Sequence, residues 1–347
     1  MNRKPKFWIG PLALAGLVSM GVAPSDAAAQ AKPAVRANST RAPKPSSAKQ
    51  SLSQKARLAR ARAAALAREV AATQLPRYKI DGSGNLVPDV RAAAAIIYDP
   101  DTNQVLWEEN SQTQRSIASI TKVMTATVFL ENDPDLTRVV TVERSDVFRA
   151  STSYLRAKDR LTVDDLLHLM LIASDNAAAR VLARVSPYGS AGFIRRMNEK
   201  AQELGLENTS YADSSGLLSD NVSSAYDIAR LITLASQNER ISAIMCTPEY
   251  VVRTARRAIP VHSTNRLLGR EDVEVRAGKT GFISKSGYCL ATLLRLRQSD
   301  QQVAVVVLGA RSNAGRFLEA QNLFDWFSSK TSAIFATMTP AAPGPTQ

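Results

Sequence analysis

The chain has 347 residues, 45% of them hydrophobic, which is enough to form one large domain or two small ones. Its formal net charge of +13 is uneven: residues 1–79 carry 15 basic and 2 acidic side chains, whereas residues 80–347 carry 29 of each. Because the globular part is neutral, the charge gives no reason to expect a nucleic-acid partner. Cys246 and Cys289 are too few for a disulfide framework, and no His/Cys spacing is typical of a metal site.

The first 31 residues have the layout of a secretory signal peptide. A basic start, MNRKPK, precedes 17 largely apolar residues, FWIGPLALAGLVSMGVA, and cleavage is expected after Ala29 or Ala31. The alternative is an uncleaved membrane anchor, but the apolar run is shorter than the ~20 residues that a spanning helix needs. We therefore predict that the protein is exported and soluble.

Residues 32–79 form a basic tail ahead of the globular part. Up to about residue 50 the tail is rich in Pro, Ser and Ala and lacks apolar periodicity, so we expect disorder there. Residues 51–75 are strong helix formers with several arginines. One interpretation is a solvated, partly helical spacer, and the other is a helix that makes weak contact with anionic lipid or with a partner protein.

The globular part, residues 80–330, has predicted strands at both ends and helices between. AAAAIIYDPDTNQVLWEEN predicts a hairpin, and helices are predicted from Ser119 onward, in LTVDDLLHLMLIASDN, in NAAARVLARV and from Ser224 onward. The stretch between the last two helices reads as loop-rich. Three strands, VEVRAGKTG, GYCLATLLRLR and QQVAVVVLGA, precede an amphipathic helix, AGRFLEAQNLFDWFSS. This order predicts an α+β domain with one mixed sheet, and residues 331–347 are expected to be a disordered tail.

The sequence SIASITK places a serine and a lysine one helical turn apart. Residues i and i+3 of a helix face the same way, so Lys122 is positioned to activate Ser119, whereas Ser116 lies too far from the lysine. A lysine acts as a base only if burial or a neighbouring cation lowers its pKa. The pair alone is weak evidence, because a second S-x-x-K, Ser46 to Lys49, lies in the basic tail.

Two further motifs supply the groups that this pair needs. The SDN motif that begins at Ser174 interrupts two helices, where side chains face a cleft, although in isolation a helix cap is the simpler explanation. The KTG motif that begins at Lys279 lies on a strand and in isolation would be a solvated strand end. Beside Ser119, its lysine supplies a second cation, and Gly281 lets a substrate backbone approach closely.

The motifs S-x-x-K, S-D-N and K-T-G occur in this order, 55 and 105 residues apart, as in penicillin-binding proteins and class A β-lactamases. Over about residues 85–330 the chain resembles the serine DD-peptidase family, in stretches such as DLLHLMLIASDNAAARVLA, LGLENTSYADSSGL and RAGKTGFISKSGYCL. KTGF, the GYCL strand and the expected lack of a β-rich C-terminal domain are most similar to D-alanyl-D-alanine endopeptidases of the penicillin-binding protein 7 type. The resemblance implies a β-lactamase/DD-peptidase-like α/β fold, a mainly antiparallel sheet flanked by helices with a helical subdomain.

The resemblance also implies catalytic roles at the matching positions. Ser119 attacks the carbonyl of a D-Ala–D-X bond in peptidoglycan, and Lys122 takes its proton. Ser174 passes a proton to the leaving amine, while Asn176 holds the substrate amide and Lys122. An acyl-enzyme forms and is hydrolysed without a metal or an organic cofactor, in the periplasm, and β-lactams acylate the same serine.

Substrate-binding roles follow in the same way. Lys279 lowers the pKa of its neighbours and, with Thr280, receives a substrate carboxylate, while Gly281 allows close approach. The backbone N–H groups of Ser119 and Phe282 form the oxyanion hole. Since Phe282 contributes through its backbone, its side chain is free to vary.

Several alternatives stay open. The motifs do not separate an endopeptidase, which opens D-Ala–diaminopimelate cross-links, from a carboxypeptidase that removes terminal D-Ala. A class A β-lactamase needs E-x-x-L-N, and ELGLEN has Glu207 where that pattern has asparagine. A non-catalytic cell-wall binding protein is disfavoured because every catalytic position is filled. His168 and His262 receive no catalytic role, since no G-x-S-x-G motif accompanies them.

Overall fold

A computed structural model of the protein describes residues 47–271, 273–296 and 301–338 and, within these ranges, the side chains of residues 54–330. The predicted signal peptide, residues 1–31, lies outside the described residues, as does the tail up to residue 46. The described residues from Ala56 onward form one compact unit. No described helix is both long enough and apolar enough to cross a membrane.

Nine α-helices and thirteen strands occur among the described residues. The helices are α1 (Ser47–Gln74), α2 (Thr121–Leu130), α3 (Arg144–Val147), α4 (Val163–Ile172), α5 (Asn176–Val185), α6 (Gly189–Glu203), α7 (Ala225–Ser236), α8 (Glu239–Met245) and α9 (Asn313–Met338), with a short 3-10 helix at Ala118–Ile120. The strands are β1 (Tyr78–Ile80), β2 (Leu86–Pro88), β3 (Ala94–Asp99), β4 (Gln104–Glu109), β5 (Arg115–Ser116), β6 (Val139–Thr141), β7 (Arg160–Thr162), β8 (Val222–Ser223), β9 (Glu249–Arg253), β10 (Ala258–His262), β11 (Glu274–Ile283), β12 (Gly287–Arg295) and β13 (Gln302–Ala310).

One five-stranded sheet, in the order β11-β12-β13-β3-β4, organises the molecule. Every pairing in it is antiparallel, so the predicted mixed sheet is wrong, and the mainly antiparallel sheet that the family resemblance implies is found. The predicted hairpin is confirmed as β3 and β4, and the three predicted late strands are β11, β12 and β13. Because β13 pairs with β3, the two ends of the globular part meet in the middle of the sheet.

Two hydrophobic cores cover the two faces of this sheet. Along β3, Ala95 and Ile97 join a core that α9 completes, whereas Ile96 and Tyr98 join the core beneath the helices α2, α4, α5 and α7. This alternation is the period of two that a strand buried on both faces requires. Most side chains of α2 are buried, so this helix is packed on nearly every side.

One predicted feature of the fold is wrong, and two predicted boundaries lie close to described helices. The stretch before Ser224 that reads as loop-rich contains α6, which buries Phe193, Met197 and Ala201 at a four-residue spacing that flanking Gly and Ser residues obscure. The helix α1, which precedes the boundary predicted at residue 80, contacts α9, since the Asn322 side chain donates a hydrogen bond to the Thr73 carbonyl. The tail expected to be disordered from residue 331 begins inside α9, which continues to Met338.

Candidate active site

Ser119 lies in the tight turn that leads into α2. The residue before it, Ala118, has a φ of +49°, in the left-handed region, and the turn continues as a 3-10 helix into α2. Lys122 follows on the first turn of α2 and is fully buried. Its Nζ lies 2.9 Å from Ser119 Oγ, so the two predicted side chains are in hydrogen-bond contact.

Two carbonyl oxygens orient the amine of Lys122. Its Nζ donates to Asn176 Oδ1 at 2.7 Å and to the Ser215 carbonyl at 2.5 Å. A neutral amine has two N–H donors and one lone pair, so these two bonds leave the lone pair for the hydroxyl proton of Ser119. Burial lowers the pKa of Lys122 to about 7, against an opposing effect of Asp175 and Asp213, and the neutral amine is therefore well populated at neutral pH.

The break between α4 and α5 positions the SDN residues. Ser174 has a φ of +61°, and this left-handed residue turns the chain between the two helices. Asp175 is buried and caps α5 by accepting the Ala178 N–H. The side chain of Asn176 donates to the Ala150 carbonyl at 2.7 Å, which aims its amide oxygen at Lys122.

The KTG residues approach the same cleft from β11. Lys279, which is 1% exposed, donates to Ser174 Oγ at 2.9 Å and to the Thr280 carbonyl at 3.1 Å. Burial lowers its pKa well below the ordinary value, and the charge of Lys122 lowers it further. The family resemblance implies that Lys279 lowers the pKa of its neighbours. For Lys122 this expectation is corrected, because burial is the main cause of its lowered pKa.

Two glycines allow the chain to close around Ser119. A Cβ on Gly281 would lie 2.7 Å from the Ile117 carbonyl oxygen and 3.2 Å from the Ser119 nitrogen. On Gly216, whose φ is +78°, a Cβ would lie 2.0 Å from the Ala118 carbonyl oxygen. The strand and the loop that carry these glycines therefore border the backbone N–H of Ser119 from two sides.

These elements enclose a cleft of about 620 Å³. Six of the predicted site residues line it, while Lys122 and Lys279 lie buried beneath its floor. The lining residues that were predicted from the sequence are Ser119, Ser174, Asn176, Thr280, Gly281 and Phe282.

The similarity to known proteins agrees with this geometry. A model of the D-alanyl-D-alanine carboxypeptidase family matches residues 82–312. The chain belongs to this family. The D-alanyl-D-alanine endopeptidases of Haemophilus influenzae and Pseudomonas aeruginosa are 34% and 33% identical to it, over 65% and 70% of this chain and 78% and 79% of their own lengths. The Streptomyces K15 DD-transpeptidase superposes with a TM-score of 0.64 at 26% identity, over 70% of this chain and 98% of that one.

Sequence reasoning missed a loop that this member of the D-alanyl-D-alanine carboxypeptidase family uses to hold Lys122. The Asp213 carboxylate accepts backbone N–H groups of Ser215, Gly216 and Leu218 at 2.6, 2.6 and 2.7 Å. Burial raises the pKa of Asp213, but these hydrogen bonds outweigh it and the net shift is downward. The stretch ADSSGL reads only as a turn, and nothing in it signals that a carbonyl of this loop binds the lysine.

Arg316 on α9 is a second missed residue of the cleft. Its guanidinium donates to the carbonyls of Gly281 and Cys289 at 3.0 and 3.2 Å, across β11 and β12. Burial lowers its pKa to about 10. An arginine inside a predicted amphipathic helix carries no sequence signal for this role, since the side chain reads as part of the solvated face.

The remaining predicted positions do not line this cleft. Cys246 and Cys289 are free thiols, and Cys289 is buried. His168 stacks on Tyr250 at 4.0 Å between ring centroids. Glu203, of the incomplete β-lactamase pattern, binds basic residues of α6 and does not line the cleft. Across the described ranges, no cluster of His, Cys, Asp and Glu is arranged to hold a metal ion.

Proposed function

We propose that the protein opens peptide cross-links of peptidoglycan as a D-alanyl-D-alanine endopeptidase, through an acyl-enzyme on Ser119. The observation that carries the chemistry is the contact of 2.9 Å between Ser119 Oγ and the buried amine of Lys122. The endopeptidase choice is supported by curated relatives of that name, which are 32–34% identical to the chain.

In the acylation step Ser119 Oγ attacks the carbonyl of D-Ala while its proton moves to the neutral amine of Lys122. The developing oxyanion accepts hydrogen bonds from the backbone N–H groups of Ser119 and Phe282, an interaction worth several kcal/mol in acyl transfer. The proton then reaches the leaving amine through Ser174, whose Oγ lies 2.9 Å from Lys279 Nζ. The C–N bond breaks, and the ester on Ser119 remains.

In the second step water hydrolyses the ester and restores the serine. Lys122 takes a proton from the attacking water and returns it to Ser119 Oγ, the reverse of the first transfer. Lys279 and Thr280 bind the carboxylate beside the leaving amine, and Thr280 Oγ1 is oriented by Thr264 Oγ1 at 2.6 Å. A β-lactam imitates the D-Ala end of the substrate, and we propose that it acylates Ser119 and leaves slowly.

Mass spectrometry of purified protein incubated with cross-linked muropeptide dimers and, separately, with pentapeptide monomers tests this proposal. Conversion of dimers to monomers is the expected result, and it should disappear in Ser119→Ala while Ser116→Ala retains it. Loss of D-Ala from the pentapeptide with dimers intact would instead establish the carboxypeptidase alternative. Rapid turnover of a chromogenic β-lactam would overturn both in favour of a β-lactamase.

We also propose that the chain acts in the periplasm after removal of residues 1–31. The apolar run after the basic start and the small residues up to Ala31 support this. Expression of the full chain in a Gram-negative host, followed by osmotic-shock fractionation and N-terminal sequencing, tests it. Recovery in the shock fluid with a new terminus after Ala29 or Ala31 is expected, whereas an intact N terminus in the membrane fraction would show an anchor.

We propose further that the basic tail, residues 32–79, contacts an anionic phospholipid surface weakly. In the described part of the tail, Arg57, Arg60 and Arg68 share one exposed face of α1, and Leu58 and Leu66 are 53% and 47% exposed. Basic residues near an anionic leaflet contribute about 1 kcal/mol each, and salt weakens them.

Sedimentation with vesicles of anionic and of zwitterionic phospholipid tests this contact. Binding to anionic vesicles should fall at least fivefold when the three arginines are replaced by glutamine, and it should fall with added salt. Equal binding of wild type and variant would overturn the proposal. The matched control replaces three exposed basic residues of the body by glutamine: Lys158, Arg256 and Arg311.

A further inference from the structure

The side chain of Phe282 occupies an unusual position for a large apolar group. The residue is 48% exposed and lines the cleft, and its own backbone N–H is the one that we place in the oxyanion hole. Its ring stacks on the ring of its cross-strand partner Tyr288, with centroids 4.2 Å apart and an angle of 25° between the planes. A half-exposed aromatic ring held rigidly at the mouth of a polar cleft is suited to a ligand contact.

The ring is held in place from below. Tyr288 packs against the core that α9 completes, and the Arg316 guanidinium lies 5.6 Å from the centre of its ring. The same guanidinium binds the Gly281 carbonyl, one residue before Phe282. Stacking on Tyr288, and the contacts of Arg316 with Tyr288 and Gly281, therefore restrain the Phe282 ring on β11.

Leu217 is a second apolar residue in the lining of the cleft. Gly216 and Gly281 both approach the backbone around Ser119, so the residue that follows each glycine lies beside the turn of the nucleophile. Those two residues are Leu217 and Phe282, and both line the cleft. The structure thus places two apolar residues that are 65 positions apart in the sequence in the lining of one cleft.

The direction of β11 shows which part of a substrate meets these side chains. The carboxylate of the leaving residue lies at Lys279 and Thr280 in the proposed function, and the scissile carbonyl oxygen lies at the Phe282 N–H. Going along the strand, the acyl-donor part of the substrate therefore lies at Phe282 and beyond it, toward Ile283 and Ser284, which also line the cleft. The leaving residue lies at the opposite end.

We propose that the Phe282 ring and the Leu217 side chain bind the hydrocarbon part of the acyl donor, next to the D-alanine whose carbonyl is attacked. The inference rests on the proposed acyl-enzyme and adds a specificity determinant to it. Both side chains act on donor selection, so cross-linked and terminal D-Ala substrates should be affected alike. The oxyanion hole uses only the backbone N–H of Phe282 and places no demand on its side chain. The proposal gives that side chain a role in binding the acyl donor.

Two penicillins that differ only in the acyl-donor side chain test the inference. Benzylpenicillin carries a phenylacetyl group, whereas 6-aminopenicillanic acid carries a bare amine at that position. The readout is the ratio of their second-order acylation rate constants. This ratio should fall about tenfold in Phe282→Ala and about threefold in Leu217→Ala, because each loses part of an apolar contact. Phe282→Leu, which keeps an apolar side chain, should restore most of the ratio.

Phe148→Ala is the matched control, since Phe148 is 66% exposed and does not line the cleft. Its ratio should equal that of the wild type. An unchanged ratio in both Phe282→Ala and Leu217→Ala would overturn the inference and leave the proposed function standing. If neither penicillin acylates the wild-type protein, the proposed acyl-enzyme itself is wrong.

Discussion

At the residue scale, acylation of Ser119 should follow the titration of Lys122, whose pKa burial lowers to about 7. Only the neutral amine can take the serine proton, and its fraction rises with pH. The second-order rate constant for acylation by benzylpenicillin should therefore increase from pH 5, reach half its maximum near pH 7, and level off above about pH 8. A rate that is constant over this range would show that Lys122 is not the base.

Lys122→Arg provides the control for that titration. A guanidinium stays charged at every accessible pH, so the variant keeps the positive side chain and loses the base. Acylation should fall by at least about 10³ at all pH values. A substantial residual rate that still titrates near pH 7 would assign the midpoint to another group.

Gly216 offers a second test at this scale. A Cβ there would lie 2.0 Å from the Ala118 carbonyl oxygen, so Gly216→Ala must displace the turn of the nucleophile. We expect acylation to fall at least 100-fold, because small displacements of reacting groups cost this much. Gly84→Ala is the control: its φ of +82° imposes similar backbone strain, but nothing lies within 4 Å of the added Cβ.

In Gly84→Ala the acylation rate should match the wild type, and only stability should fall, by about 1 kcal/mol. Equal losses of activity in the two variants would show that backbone strain alone is responsible. Wild-type activity in Gly216→Ala would show that the loop yields without moving Ser119.

The chemical groups of the site follow from the sequence, whereas their environment does not. Helical spacing alone places Lys122 beside Ser119, and the SDN and KTG motifs supply Asn176 and Lys279. Burial of the lysine depends on the Ser215 carbonyl, contributed by a loop 93 positions away, and on packing of α2 on all sides. No local pattern reports contacts of that range, so the sequence alone does not show that burial, more than a neighbouring cation, lowers the pKa of this lysine.

At the element scale, the junction of α4 and α5 depends on the buried carboxylate of Asp175. It caps α5 through the Ala178 N–H at 2.8 Å and also accepts the Tyr154 N–H at 2.5 Å. Asp175→Ala would leave the buried Ala178 N–H and the partly buried Tyr154 N–H without a partner, so we expect a loss of about 2–4 kcal/mol in the free energy of unfolding. Urea denaturation measures the change.

Ser224→Ala is the control that removes a helix cap alone. Comparison with Asp175→Ala separates the effect of the cap from that of the bond to the Tyr154 N–H. Ser224 is fully buried, and its hydroxyl caps α7 by accepting the Asp227 N–H at 3.0 Å. Unlike Asp175, its side chain accepts no backbone N–H from a second loop within the described ranges. Its loss should amount to about 1 kcal/mol. Equal losses in the two variants would show that the bond to Tyr154 adds nothing to stability.

Elements with a strong apolar period or a cap are the ones that sequence reasoning predicts well. The helices predicted in LTVDDLLHLMLIASDN and from Ser224 onward are found as α4 and α7, and the side chains of Thr162 and Ser224 cap them. The helix α6 was missed because glycines and polar residues surround its few apolar positions, and only tertiary contacts stabilise it.

At the scale of the whole molecule, the cleft lies where the edge strand of the sheet meets the helical core. β11 carries the KTG residues along the edge of the sheet, while the 3-10 helix carries Ser119, α2 carries Lys122 and α5 carries Asn176. Lys122 and Lys279 are both buried there, and their charges are poorly solvated. This arrangement should make conformational stability depend on pH.

Lys122 determines whether stability rises or falls with pH, because its pKa is about 7 in the folded protein and 10.5 without burial. Between these values the folded state holds a neutral amine and the unfolded state a protonated one, so unfolding takes up a proton. Raising the pH opposes that uptake, and the free energy of unfolding should rise by about 1.4 kcal/mol per pH unit from this group.

Urea unfolding at pH 7.5 and 8.5 of the wild type and Lys122→Met measures this slope. The variant lacks the titrating amine, so its stability should rise by about 1.4 kcal/mol less over the interval. Its absolute stability also changes, because Asn176 Oδ1 and the Ser215 carbonyl lose a partner, but that effect is independent of pH. Lys279 contributes to the slope of both proteins, so the comparison measures the change that accompanies loss of the Lys122 amine. Parallel pH dependences would show that Lys122 stays protonated in the folded molecule, and the general base would then have to be sought elsewhere in the cleft.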